Sequence, residues 1–131
     1  MIGHEGKEHG FDILLDAVLH EPHKVKDIAT KNREFLESKN YTGETVLHWC
    51  AVENRTDDIE LLRSLGASIP SFALIEALES GHTETAILLL ELGVEVDALT
   101  CKRALERNMF NLNAKTIKIM KSYFQQYGHE I

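Results

Sequence analysis

The chain has 131 residues, 44% of them apolar, and a net charge of −7, which suits one globular domain with a core of its own. The longest apolar run, residues 86–90, is far below the roughly 20 residues of a membrane span. Residues 34–101 hold 13 acids and 3 bases, which excludes sequence-neutral nucleic-acid binding because that depends on Lys and Arg neutralising phosphates.

Residues 1–10 are polar and lack the apolar stretch of a secretory signal, so they read as a flexible segment, and a cytoplasmic location is the expectation. Past residue 10 the apolar spacing predicts helix almost throughout. Residues 11–19 carry apolar side chains at 11, 13, 14, 15, 17, 18 and 19, too dense for an alternating strand and right for a buried short helix. Pro22 fits the first turn of a second helix over 23–31, where its missing N–H costs nothing. The polar stretch 38–43 is a turn by composition.

A two-helix unit follows, with helices over 45–53 and 57–65. Asp57 and Asp58 sit in the first turn of the second helix, favourably for its dipole, and Gly66 ends it. The unit recurs with helices over 72–80 and 84–92, separated by Gly81-His82 and closed by Gly93. A last pair is expected over 102–107 and 116–125, joined by a longer connection, with Ile117, Met120, Tyr123 and Phe124 inward. Gly66 and Gly93 are 27 residues apart, as are Ala77-Leu78-Glu79 and Ala104-Leu105-Glu106, and a period in this range marks a stacked repeat protein.

The residues Gly43-Glu44-Thr45-Val46-Leu47-His48-Trp49-Cys50-Ala51, with Leu61-Leu62 and Gly66-Ala67, resemble the ankyrin repeat, whose pattern opens Gly-x-Thr-Pro-Leu-His-x-Ala-Ala and closes Leu-Leu-x-x-x-Gly-Ala. Gly43, Thr45, Leu47, His48 and Ala51 match, and Val46 stands in place of the usual Pro. Asn54-Arg55 replaces a common Gly-His, and Asn tolerates the left-handed backbone. The next unit matches at Gly81, His82, Leu88 to Leu90 and Gly93 but lacks the Thr-Pro-Leu-His corner. The resemblance implies an all-α, ankyrin-type solenoid of about four helix-turn-helix units, near 11–39, 40–67, 68–98 and 99–131, forming a single domain with shortened β-hairpin fingers. It also implies hydrogen-bonding roles for Thr45, His48 and His82 at the turn-to-helix corners.

No chemistry declares itself. There is no Gly-rich phosphate loop and no Cys-x-x-Cys. His20 and His23 flank Glu21, with His4 and His9 nearby in sequence, but Pro22 separates them and a metal needs three or four converging ligands. No enzyme activity, metal or cofactor is expected, although a metal-dependent enzyme is a formal alternative. Cys50 and Cys101 read as reduced core thiols, and Trp49 as a buried or half-buried packing residue.

Carrying over the family's contact positions selects Tyr41, Thr42 and Glu44 on the finger, Val52 and Glu53 in the same unit, Glu79 and Ser80 in the next, and Glu106 and Arg107 in the last. Leu19 and His20 would continue the row. The glutamates suggest an acidic concave surface and a basic protein partner, in an adaptor or scaffold role. An inhibitor or immunity-type protein that neutralises a basic enzyme or toxin is a second expectation, and self-association of the stack is a third. Residues 102–131 carry 6 bases and 2 acids, so the last helix offers a basic outer face at Lys115, Lys118 and Lys121.

Overall fold

A computed structural model of the chain describes residues 9–131. The expected flexible segment lies outside the described residues except for His9 and Gly10, which open the first helix. The described residues form eight α-helices and two short 3-10 helices, with no strand among them. They gather into two compact bodies, one of residues 9–53 and 57–68, the other of residues 54–56 and 69–131.

In the first body α1 (His9–His20) buries Phe11, Leu14, Ala17 and Val18, the stripe its sequence spacing predicts. Pro22 stops it and starts a 3-10 turn, Pro22–Lys24, that leads into α2 (Val25–Lys31). A 3-10 helix, Arg33–Glu37, follows and packs on both α1 and α2. The contact is close: a Cβ on Gly10 would lie 2.6 Å from the Phe35 ring. α3 (Val46–Val52) and α4 (Thr56–Ser64) complete this part of the chain.

Thr45 caps α3, its hydroxyl accepting the His48 N–H at 3.2 Å, as the Thr-x-x-His corner requires. Val46, in the position where the pattern has Pro, is fully buried. Trp49 is half-buried. α4 ends in a Schellman turn, with Ala67 N–H donating to Leu62 and Gly66 N–H to Arg63. Gly66 needs φ +107°, which L side chains rarely adopt.

The second body contains α5 (Ser71–Glu79), α6 (Thr83–Glu91), α7 (Ala98–Arg107) and α8 (Ala114–Gln126). α5 packs on α6 and on α7, and α6 packs on α8. The first helices of two successive hairpins therefore lie side by side, and so do the second helices. Leu74, Leu89, Met120 and Phe124 are fully buried, each contributing about 1.5–3 kcal/mol by burial. Asn54 turns the chain at φ 58° and its side chain accepts the Thr85 hydroxyl at 2.6 Å.

Several boundaries differ from the periodicity reading for a local reason. α7 begins at Ala98 instead of 102 because Asp97 caps it through Thr100 N–H. α8 begins at Ala114 because Asn113 caps it through Thr116 N–H at 2.8 Å. In α8 Met120 and Phe124 are buried, whereas Ile117 and Tyr123 are only half-buried. The β-hairpin finger before α3 is a loop: two backbone bonds, Asn40 N–H to Glu44 at 2.9 Å and Gly43 N–H to Asn40 at 3.0 Å, close it, too few for a strand ladder.

Candidate functional site

The candidate residues divide between the bodies. Tyr41, Thr42, Glu44, Val52 and Glu53 lie in the first, and Glu79, Ser80, Glu106 and Arg107 in the second.

In the first body the loop before α3 is organised by Asn40. Its Oδ1 accepts the Thr42 N–H at 3.0 Å, the Glu44 N–H at 2.9 Å and the Thr42 hydroxyl at 2.8 Å. Its Nδ2 donates to Glu44 Oε1 at 3.2 Å. This is an Asx-type closure in which one side chain replaces the hydrogen bonds a β-turn would make. Glu44 is therefore half-buried and committed to the loop, while Tyr41 at the tip is 85% exposed. A cleft of about 430 Å³ opens beside it, lined by Glu37, Lys39, Asn40, Tyr41 and Gly43. Val52 is half-buried on α3, and Glu53, at the helix end, is exposed. His48 holds its corner through its own N–H to Thr45.

Leu19 is half-buried and His20 exposed at the end of α1. His20 lies 3.9 Å from Asp16. His23 sits beyond the break at Pro22, and Glu21 is paired with Lys24 at 2.8 Å, a hydrogen bond that holds the Glu21 carboxyl below its ordinary range. His4 lies outside the described residues. Among the described residues, no group of three His, Cys, Asp or Glu could hold a metal ion.

In the second body Glu79 and Arg107 meet: Arg107 Nη1 donates to Glu79 Oε2 at 3.1 Å. The packing of α5 on α7 brings their ends into register, so Glu79 is not a free carboxylate. The exposed stripe of α7 carries Leu99, Lys102, Arg103 and Glu106, more basic than acidic. Asp97, at its start, is held below the usual carboxyl range chiefly by the Thr100 N–H.

His82 departs from the expected role. Its Nδ1 is buried and has no hydrogen-bond partner among the described residues, and its side chain makes no cap bond at α6. The unit lacks the Thr-x-x-His corner, and the turn is closed instead by backbone bonds, Gly81 N–H to Leu78 and His82 N–H to Ala77.

The structure also places large apolar side chains that the residue pattern did not single out. Asn108, at φ 46°, ties the loop after α7 to Leu112 by two bonds, Nδ2 to the Leu112 carbonyl at 2.9 Å and Leu112 N–H to Oδ1 at 2.7 Å. The tip presents Met109 and Phe110, 66% and 62% exposed. Phe110 packs against Gly81, next to the predicted Ser80. A signal existed for both loops. Each is an Asn bonded to the residue four positions on, and Asn is the residue that closes a turn with its side chain and tolerates the left-handed backbone.

The chain matches no protein-family model, no curated protein and no solved structure.

Proposed function

We propose that the chain is a non-enzymatic protein-binding module, built as a short ankyrin-type stack, that acts as an adaptor or scaffold for a basic protein partner. Support for the stack comes from the second body, where α5 packs on α7 and α6 on α8, the pairing of successive helical hairpins. The 27-residue spacing and the Thr45 corner in the first body agree with it.

The observation that carries the binding reading is the loop of residues 40–44. It is locked by four hydrogen bonds of the Asn40 side chain, yet it holds Tyr41 in solvent. Folding gains little from an aromatic ring left in water, whereas a partner gains a rigid anchor that loses little entropy on binding.

Charge selects the partner. Over residues 9–53 and 57–68 there are 11 acids against 6 bases. That imbalance favours a basic surface, speeds association and makes it salt-sensitive. Individual rim carboxylates each contribute only ~0–1 kcal/mol, so Tyr41 is the anchor and Glu53 a steering charge.

The test begins with proteins recovered on the immobilised chain, identified by mass spectrometry. Binding of a recovered protein is then measured against Tyr41→Ala and Glu53→Lys between roughly 50 and 300 mM salt, a range over which exposed charges become screened. Tyr41→Ala is expected to weaken binding at all salt concentrations, and Glu53→Lys to slow association mainly at low salt. Equal binding by both variants and the parent would refute the reading.

A further inference from the structure

We propose that the cleft between Glu37 and Tyr41 is a socket for an arginine side chain; this rests on the reading of the chain as a binder of a basic protein and names the group that is recognised. The cleft lies within the first body and needs no other part of the chain.

Three features favour a guanidinium. The Tyr41 ring is exposed, and Asn40 closes the loop that carries it by accepting the Thr42 and Glu44 N–H groups. A planar cation stacks on such a face, and arginine does so more often than lysine. Glu37 supplies a carboxylate that is already oriented, because its Oε2 accepts the Ser68 N–H at 2.9 Å. A carboxylate has about four lone-pair sites, so it can still accept from a guanidinium. Gly43 leaves its edge of the cleft open: at φ +85°, a Cβ there would meet nothing within 4 Å.

Lys39 also lines the cleft and opposes a cation. Its ammonium rides on an exposed, flexible stem, whereas Glu37 is pinned. The surrounding charge settles the sign. Four of the six bases of this body are engaged locally: Lys24 with Glu21, Lys31 with Asp27, Arg33 on the Leu65 carbonyl and Arg63 on the Ala67 carbonyl. The acids Glu34, Glu37, Glu53 and Glu60 are exposed.

The test is an NMR titration of the full chain with the peptide acetyl-Gly-Arg-Gly-amide, and with the same peptide carrying citrulline, which keeps the shape and loses the charge. The arginine peptide should shift the Tyr41 ring and the Gly43 and Ser68 amides in a saturable way, and the citrulline peptide should not. Glu37→Gln, which can still accept from Ser68, and Tyr41→Leu should each weaken binding about two- to fivefold, the scale of an exposed cation–π contact. Lys39→Gln should tighten it. Equal shifts with citrulline, or affinity unchanged in Glu37→Gln and Tyr41→Leu, would overturn the socket. An octa-arginine peptide separates the two readings. If it binds while Tyr41 and Gly43 stay unmoved, the socket falls and the basic partner stands. If it does not bind at all, both fall.

Discussion

Replacing Gly81 by alanine tests the seating of the Met109–Phe110 loop on the turn between α5 and α6. Gly81 has φ +72°, and an alanine forced there costs about 1 kcal/mol in backbone strain. The new Cβ would lie 3.1 Å from Phe110 Cβ and 3.2 Å from Cγ. Phe110 Cβ is bonded to the backbone, and Asn108 ties that backbone to Leu112, so turning the ring leaves the Cβ contact in place. The loop must shift, which adds about 1 kcal/mol, the low end of overpacking because Phe110 is half in water. Gly93→Ala is the control: it ends α6 in the same Schellman turn at φ +89°, with nothing within 4 Å of a new Cβ. Urea unfolding with constant m should give a loss of about 2 kcal/mol for Gly81→Ala and about 1 kcal/mol for Gly93→Ala. Adding Phe110→Ala to Gly81→Ala removes the ring carbons but keeps Cβ, so part of the excess should return. Equal losses for the two glycine variants, within about 0.3 kcal/mol, would mean that the loop does not sit on Gly81.

Thr45→Ala should cost about 1 kcal/mol, measured by the same unfolding curve, because the buried hydroxyl is the cap of α3; a loss under about 0.3 kcal/mol would remove the corner from the account. A double-mutant cycle on Glu79→Gln and Arg107→Gln should give a coupling of a few tenths of a kcal/mol that shrinks in high salt, since both side chains are partly exposed. Burial, followed by the nearby Asp97 charge, pushes the Cys101 thiol up to about 11. A raised value means the thiol stays protonated at pH 8, so a disulfide reagent should label it slowly in the native chain and at once in denaturant. Prompt labelling of the native protein would contradict the buried position of Cys101.

Helix content was legible in the residues because the apolar spacing is dense and the stop signals are strong. Gly66, Gly81 and Gly93 all adopt the left-handed backbone that their positions implied, and Asn54 does the same in place of glycine. The Thr45 corner was legible because a cap is a local device whose donor and acceptor are three residues apart. The caps at Asp97 and Asn113 were equally local and were missed, since the starts of α7 and α8 were placed by apolar spacing alone.

The candidate site was less legible. Tyr41, Thr42 and Glu44 were selected, but their organiser, Asn40, and the carboxylate that shares the cleft, Glu37, were not. Glu37 is oriented there by the Ser68 N–H, 31 residues along the chain, a contact that no short-range pattern encodes.

By itself, then, the sequence determined the helical class and the turns that end the helices. Each of these depends on backbone preference and on neighbours within about one helical turn. Only the tertiary structure decided which charges stand free. Glu79 and Glu106 look alike in sequence, 27 residues apart at the ends of α5 and α7. Yet Glu79 is paired with Arg107 across the packed helices, and Glu106 faces solvent. Charge at a surface is a property of partners brought close in space. Here the partner sits 28 residues away along the chain, and helix packing alone brings it within 3.1 Å.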